Sequence, residues 1–408
     1  MAVAVTAGAL ASPPSQARRR PASGTPRPGV FTSLGLGAAF VFALVAVQIP
    51  SLRPIFGSRV NQLAADLGQA RLNASDRAML DRGYYEGLTT GGRFNAELWE
   101  FYMTRPQAAA SDRHDVPGFR FRDDYLEREF APNSIAVTAG KNYRINRWGM
   151  RDQDYTLEKP AGTYRIAMIG DSRAVGWGVE YEERFETLLE QQTNKEWTGG
   201  ATKRYEILNF SMDGYVPVQR LLSFEEKGLR CNPDAVIYIA GRRDTYLDHH
   251  AQMVRRGVEI PYDFLEEIDR KAGLAQSMSE AEITRRMQPY RFEIASHVYH
   301  RFGELFRQHG IVGIWIFLPN VDNRATDETP ENIAELKHQA EDAGFITIDL
   351  SSLFVEAGDS NALRLSRWDD HPNAKGHKLI ADVIFRKLSE LRKAGTFASP
   401  HHESRRAN

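Results

Sequence analysis

The chain reads as an α/β protein built on a mainly parallel sheet, and three observations predict it. Apolar runs of strand length recur at 165–169, 206–210, 235–240, 313–318 and 345–350. Amphipathic stretches with helical spacing lie between most of them, as at 183–192, 218–229 and 333–343. Hairpin turns are lacking between these runs, so the connections read as crossovers and the sheet as covered on both faces. In sheets of this kind ligands bind at the carboxyl ends of the strands.

Taken from the amino terminus, residues 1–28 are rich in Ala, Pro, Ser and Arg and hold no acidic residue, which predicts a disordered tail. Val30 to Ile49 then runs for 20 residues without a charge and stops at Pro50. That length suits a helix crossing a hydrocarbon core of ~30 Å. Arg18, Arg19, Arg20 and Arg27 precede the span, so the positive-inside rule places the tail in the cytoplasm and everything after Arg53 outside. A cleaved signal peptide fits less well, because Val47-Gln48-Ile49-Pro50 is a poor cleavage site. The expectation is a single-span anchor at 29–50.

Residues 51–140 read as a juxtamembrane and lead-in region. Leu63, Leu67, Leu72 and Leu80 keep helical spacing, residues 106–115 are linker-like, and 119–150 alternate aromatics with charges in an irregular or β-rich pattern. The main domain is expected over 141–392, with a polar helical insertion at about 245–308 above the carboxyl edge of the sheet and a flexible tail at 393–408.

Composition excludes some functions. A net charge of -1 over 408 residues gives no electrostatic reason to expect a nucleic-acid partner. The single cysteine, Cys231, cannot form an intramolecular disulfide and reads as a packed thiol. Oligomeric state is not readable.

The chemistry gathers at two places. Gly170-Asp171-Ser172 follows the apolar run ending at Ile169, and Asp369-Asp370-His371-Pro372-Asn373 opens the last helical stretch. A serine presented at the end of a parallel strand, with a histidine and a carboxylate arriving from far along the chain, is a common way to assemble a nucleophile. Ser172 is the expected nucleophile and His371 the proton carrier. Asp369 is the expected orienting acid, since a spacing of two in an extended loop puts both side chains on one side. Asp370 is a poorer candidate because it adjoins His371. His377 reads as structural, and Asp171 as support for the serine turn. His249-His250 offers adjacent, diverging side chains without a spaced third ligand and reads as a solvated loop rather than a metal site.

Four blocks in order resemble the SGNH/GDSL hydrolase superfamily over roughly 141–388. They are Gly170-Asp171-Ser172, Asn209-Phe210-Ser211-Met212-Asp213-Gly214, Gly241-Arg242-Arg243-Asp244 and Asp369 to His377. The resemblance implies a three-layer α/β/α fold and an oxyanion hole built from the backbone N–H groups of Ser172 and Gly214 and a side chain in the third block. That side chain is an asparagine in the family pattern, and Arg243 stands in its place. The residues leave open whether Arg243 donates to an oxyanion, holds an acidic substrate or misaligns the hole. Arg173, Arg242 and Asp244 are the expected substrate contacts.

The lead-in from Tyr143 to Arg151 is similar to that of membrane-tethered bacterial relatives that act on envelope or exported polysaccharides. The resemblance therefore implies a cofactor-free, metal-free serine esterase, periplasmic in a bacterium. Its substrate would be an ester-bearing glycan or small molecule, its acyl group acetyl. A polysaccharide O-acyltransferase using the same residues, or a non-catalytic glycan-binding protein on the same fold, are the alternatives.

Overall fold

In the computed structural model, the structure describes residues 118–396, apart from 139, 322–327 and 367–368. The expected tail, the anchor at 29–50, the helical segment after it and the linker lie outside the described residues. Among the described residues no helix is long and apolar enough to cross a membrane.

Two small hairpins come first. β1 (Phe119–Phe121) pairs antiparallel with β2 (Arg128–Phe130), and β3 (Ile135–Thr138) with β4 (Lys141–Arg144). The aromatics of the lead-in pay off here, since Phe130 and Tyr143 are buried together with Ile145, Val175 and Tyr215 in a core of their own. The β3–β4 hairpin spans residue 140, so the lead-in and the main domain are not divided at the expected boundary.

The main sheet has strands β5 (Thr163–Ile169), β6 (Arg204–Asn209), β7 (Ala235–Ala240), β8 (Val312–Phe317) and β9 (Ile346–Asp349). Its order is β6-β5-β7-β8-β9, and every pairing is parallel. Side chains alternate between faces, as a pleat requires. Ile166, Met168, Ile237, Ile239, Ile314 and Ile316 meet one helical layer, while Ala167, Ile169, Val236, Tyr238, Trp315 and Phe317 meet the other. Both faces being covered explains why these strands read as continuous apolar runs rather than alternating ones.

After β5 come the short α1 (Ser172–Val175) and then α2 (Phe185–Glu196). α3 (Pro217–Ser223) follows β6 and runs on through a π turn, Phe224–Gly228. Between β7 and β8 lie α4 (Asp248–Arg256), α5 (Asp263–Ala272), α6 (Glu280–Met287) and α7 (Arg291–His309). α8 (Pro330–Asp342), α9 (Leu353–Glu356) and α10 (Ala374–Lys393) complete the chain.

α2 and α10 cover the first face through Phe185, Leu189, Ile380, Ile384 and Leu388. α3, α7 and α8 cover the second. The last helix of the expected insertion therefore belongs to the core. α7 buries Tyr299, Phe302 and Phe306 against the sheet and serves as the β7–β8 crossover, which leaves about 245–290 as the true excursion.

The chain starts at β5, adds β6 on one side and β7 on the other, so the winding reverses at β5. That reversal opens a crevice at the carboxyl ends of neighbouring strands. Ser172, Gly214 and Arg243 all fall in loops leaving β5, β6 and β7.

Candidate active site

Ser172 is held by a turn with little freedom. Asp171 caps α1 by accepting a hydrogen bond from the Arg173 N–H at 3.1 Å, and Ser172 becomes the first helical residue. Gly170 is needed before it, because a Cβ there would approach the Ala174 side chain to 2.8 Å and Ile239 to 3.1 Å. The amide of Ser172 makes no hydrogen bond among the described residues, as expected for the first N–H of a helix.

His371 arrives on the loop that leads into α10. Asn373 caps that helix by accepting from the N–H groups of Lys375 and Gly376. Its side-chain amide donates to the carbonyls of Ala362 and Arg364, which ties the loop down on both sides. The His371 Nε2 lies 2.7 Å from the Ser172 Oγ, and its Nδ1 lies 2.8 Å from the Asp369 Oδ1.

The same Asp369 oxygen accepts the His371 backbone N–H at 2.9 Å. With Nδ1–H donating to a buried carboxylate, Nε2 is left as the acceptor for the serine hydroxyl. Asp369 is 1% exposed at its side chain and His371 11%, so the relay is shielded while the serine end opens to solvent. Asp370 lies opposite Arg242, with their charged atoms 3.9 Å apart, and keeps a carboxylate oxygen within 4.8 Å of a ring nitrogen of His371.

Gly214 takes a φ of 76°, in the left-handed region that glycine enters freely. Its N–H, like that of Ser172, has no acceptor among the described residues. Arg243 is half-buried, with its guanidinium 5.5 Å from the centre of the Tyr246 ring.

Two expected substrate contacts are corrected. Arg173 is 3% exposed and points inward, bonding Asp171 through Nε at 3.0 Å and Nη2 at 2.7 Å and also donating to the Leu318 carbonyl. Asp244 is likewise buried, accepting from Arg220, Tyr238, Tyr299 and the Gly241 N–H at 2.7–3.0 Å. Both brace the floor of the site, because their charges pair beneath it and never reach the crevice. Arg242 alone of the three stays at the rim, half-buried beside Asp370.

His249 and His250 are corrected as well. They begin α4, and His250 is buried between the Tyr125 hydroxyl at 2.8 Å and Asp269 at 2.7 Å. His377 is buried against Phe185, accepts that residue's N–H at 3.2 Å, and is pushed down to about 3 by burial and by the nearby Arg151 and Arg184.

Residues the sequence did not single out complete the arrangement. Arg220 is fully buried and bridges Asp244 at 2.9 Å to Asp171 at 3.4 Å. Burial would raise the Asp171 carboxyl, but Arg173, Arg220 and Arg243 outweigh it and hold it well below the usual carboxylate range. Asp213, just before Gly214, is buried with Oδ1 unbonded among the described residues. Burial raises its carboxyl to about 6 against the pull of Arg128, His371 and Arg151.

Comparison with known proteins adds the following. No family model and no curated protein sequence matches the chain. Solved structures do. An acetyl xylan esterase matches at 17% identity and a TM-score of 0.37, over 55% of this chain and 99% of its own. A catalytic mutant of an acetylxylan esterase from Geobacillus stearothermophilus matches at 14% identity and a TM-score of 0.38, over 55% and 94%. A lipase/acylhydrolase from Enterococcus faecalis matches at 15% identity and a TM-score of 0.35, over 55% and 95%.

Proposed function

We propose that this chain is a serine esterase of the SGNH/GDSL type. The observation that carries the reading is the unbroken relay from Ser172 Oγ through His371 to Asp369, at 2.7 and 2.8 Å. It stands in the crevice where the β5, β6 and β7 loops meet. His371 takes the serine proton as Oγ attacks an ester carbonyl, and Ser172 becomes acylated. The proton then returns to the departing alcohol. Water, activated by the same imidazole, releases the acid and restores the serine.

The negative oxygen formed at each attack is met by the free N–H groups of Ser172 and Gly214, with Arg243 as the third donor. The half-buried placement of Arg243 at the end of β7, close enough to Asp171 to act on its charge, supports that role. An acyl ester on a carbohydrate, acetyl foremost, is the proposed substrate. It is supported by the similarity of the lead-in to that of tethered relatives acting on polysaccharides. Tethering through Val30–Ile49, with the site on the outer side of the membrane, belongs to the same proposal and rests on the uncharged span and the arginines before it.

The test is hydrolysis of acetyl esters by the full chain beside Ser172→Ala, with a fluorophosphonate to label the serine. The parent turns over and labels, and Ser172→Ala loses labelling and at least about 10⁴-fold in rate. An inert, unlabelled parent would sink the esterase and leave a binding protein on this fold.

A further inference from the structure

Trp177 lies in the same turn as the nucleophile, yet nothing in the relay described above uses it. Its indole stacks on the His371 imidazole with ring centres 5.6 Å apart and planes 29° from parallel. Its backbone N–H donates to the Ser172 carbonyl at 3.0 Å, so the ring is tied directly to the residue whose hydroxyl the imidazole serves.

The rest of the turn is gripped from outside. Gly176 and Gly178 flank Trp177 with φ of 84° and 72°. Tyr143 accepts the Gly178 N–H at 3.1 Å. Arg151 donates to the carbonyls of Val175, Gly176 and Val179 while its guanidinium lies 3.5 Å from the centre of the Tyr143 ring. From the other side Leu365 packs so closely on Gly178 that any Cβ there would strike it, and the Leu365 N–H donates to the His371 carbonyl at 2.9 Å. The serine turn and the histidine loop therefore interlock at Trp177. Its indole N–H makes no hydrogen bond among the described residues, which leaves the stack and the backbone to set the ring.

We infer that Trp177 is a positioning residue for His371, fixing the plane of the imidazole and favouring its protonated form through the face of the indole. The separation is within the reach of a cation–π contact, and the electron-rich face attracts a positive ring more than a neutral one. That preference matters when His371 holds the serine proton, the moment at which imidazolium forms. The inference rests on the esterase reading for its consequence in the reaction but not for the contact itself.

Other charged and titratable groups face the same ring. Asp369 holds Nδ1, and Asp370 sits beside it opposite Arg242. Ser172 meets Nε2. Asp213, from the loop after β6, and His377, on α10, lie within electrostatic reach.

The experiment is an NMR titration of the His371 ring in full chain labelled with 13C-histidine, the signal assigned by its loss in His371→Gln. Trp177→Leu keeps an apolar cover over the ring but removes the π face, and Trp177→Phe keeps both. The expected result is a midpoint about half a pH unit lower in Trp177→Leu, restored to within about 0.2 units in Trp177→Phe. A midpoint unmoved in Trp177→Leu, or lowered equally in Trp177→Phe, would overturn the inference. Because the readout needs no turnover, a shifted midpoint in a chain without esterase activity would condemn the esterase reading and leave the role of Trp177 standing.

Discussion

Arg173 and Asp244 show at the level of single residues how charge near the proposed nucleophile, Ser172, divides into bracing and rim. Their side chains pair with Asp171 and Arg220 in a buried network whose polar atoms are matched at 2.7–3.4 Å. A sequence gives residue type and distance along the chain, but not which way a guanidinium turns, so Arg173 and Arg242 look alike until the fold separates them. Arg220 illustrates the converse, a buried charge on a helix whose partners come from two other loops and leave no local mark. Ser172, Asp369 and His371 each adjoin a signal that a sequence carries, a strand end or a helix cap, and the structure links them through contacts of 2.7 and 2.8 Å. For Arg243 the expectation is quantitative. Arg243→Ala should lower kcat for acetyl-ester hydrolysis by about 10²-fold with KM little changed, as loss of one oxyanion donor does. A faster variant would show that Arg243 obstructs the hole.

The elements that present the site are short and depend on their neighbours. α1 has four residues and cannot hold itself, so its geometry comes from the Asp171 cap, the flanking glycines and the Arg151–Tyr143 clamp. The sequence signalled β structure in the lead-in through its aromatics, but not that this structure grips the nucleophile turn, since that contact joins residues about two dozen positions apart. Burial lowers Arg151 to about 10, which leaves it charged at neutral pH. Arg151→Leu strands the Val175, Gly176 and Val179 carbonyls, and it should cost about 3 kcal/mol in urea unfolding and lower kcat as the turn loosens. Unchanged stability would mean that the clamp is dispensable. α7 was hidden for a different reason. Its buried residues form one stripe on an otherwise polar helix, and a polar helix beside a core strand reads like those of an insertion.

For the molecule as a whole, the parallel sheet decides where the site lies. Its continuous apolar runs made the strands and their order of appearance readable, while the spatial order, with β5 between β6 and β7, emerges only from the pairing. The fold also carries buried acid behind the site. Asp152 and Glu186 pair with Arg184, Glu190 lies close to Asp152, and burial, reinforced by Asp152, raises the Glu190 carboxyl to about 7. A carboxyl raised on folding supports the native state below its unfolded value near 4.5, and that support is lost as pH climbs through 7. Glu190→Gln should therefore raise stability by roughly 2–3 kcal/mol at pH 8.5 and give almost no gain at pH 4, read from melting curves at both. A gain independent of pH would contradict the assignment.

The measurement that bears most directly on the whole account is fluorophosphonate labelling of the full chain, located by peptide mass spectrometry, alongside acetyl-ester turnover. The account predicts a single adduct on Ser172 that disappears in Ser172→Ala and slows sharply in His371→Gln, with turnover falling in step. Labelling elsewhere, or turnover that survives Ser172→Ala, would contradict it.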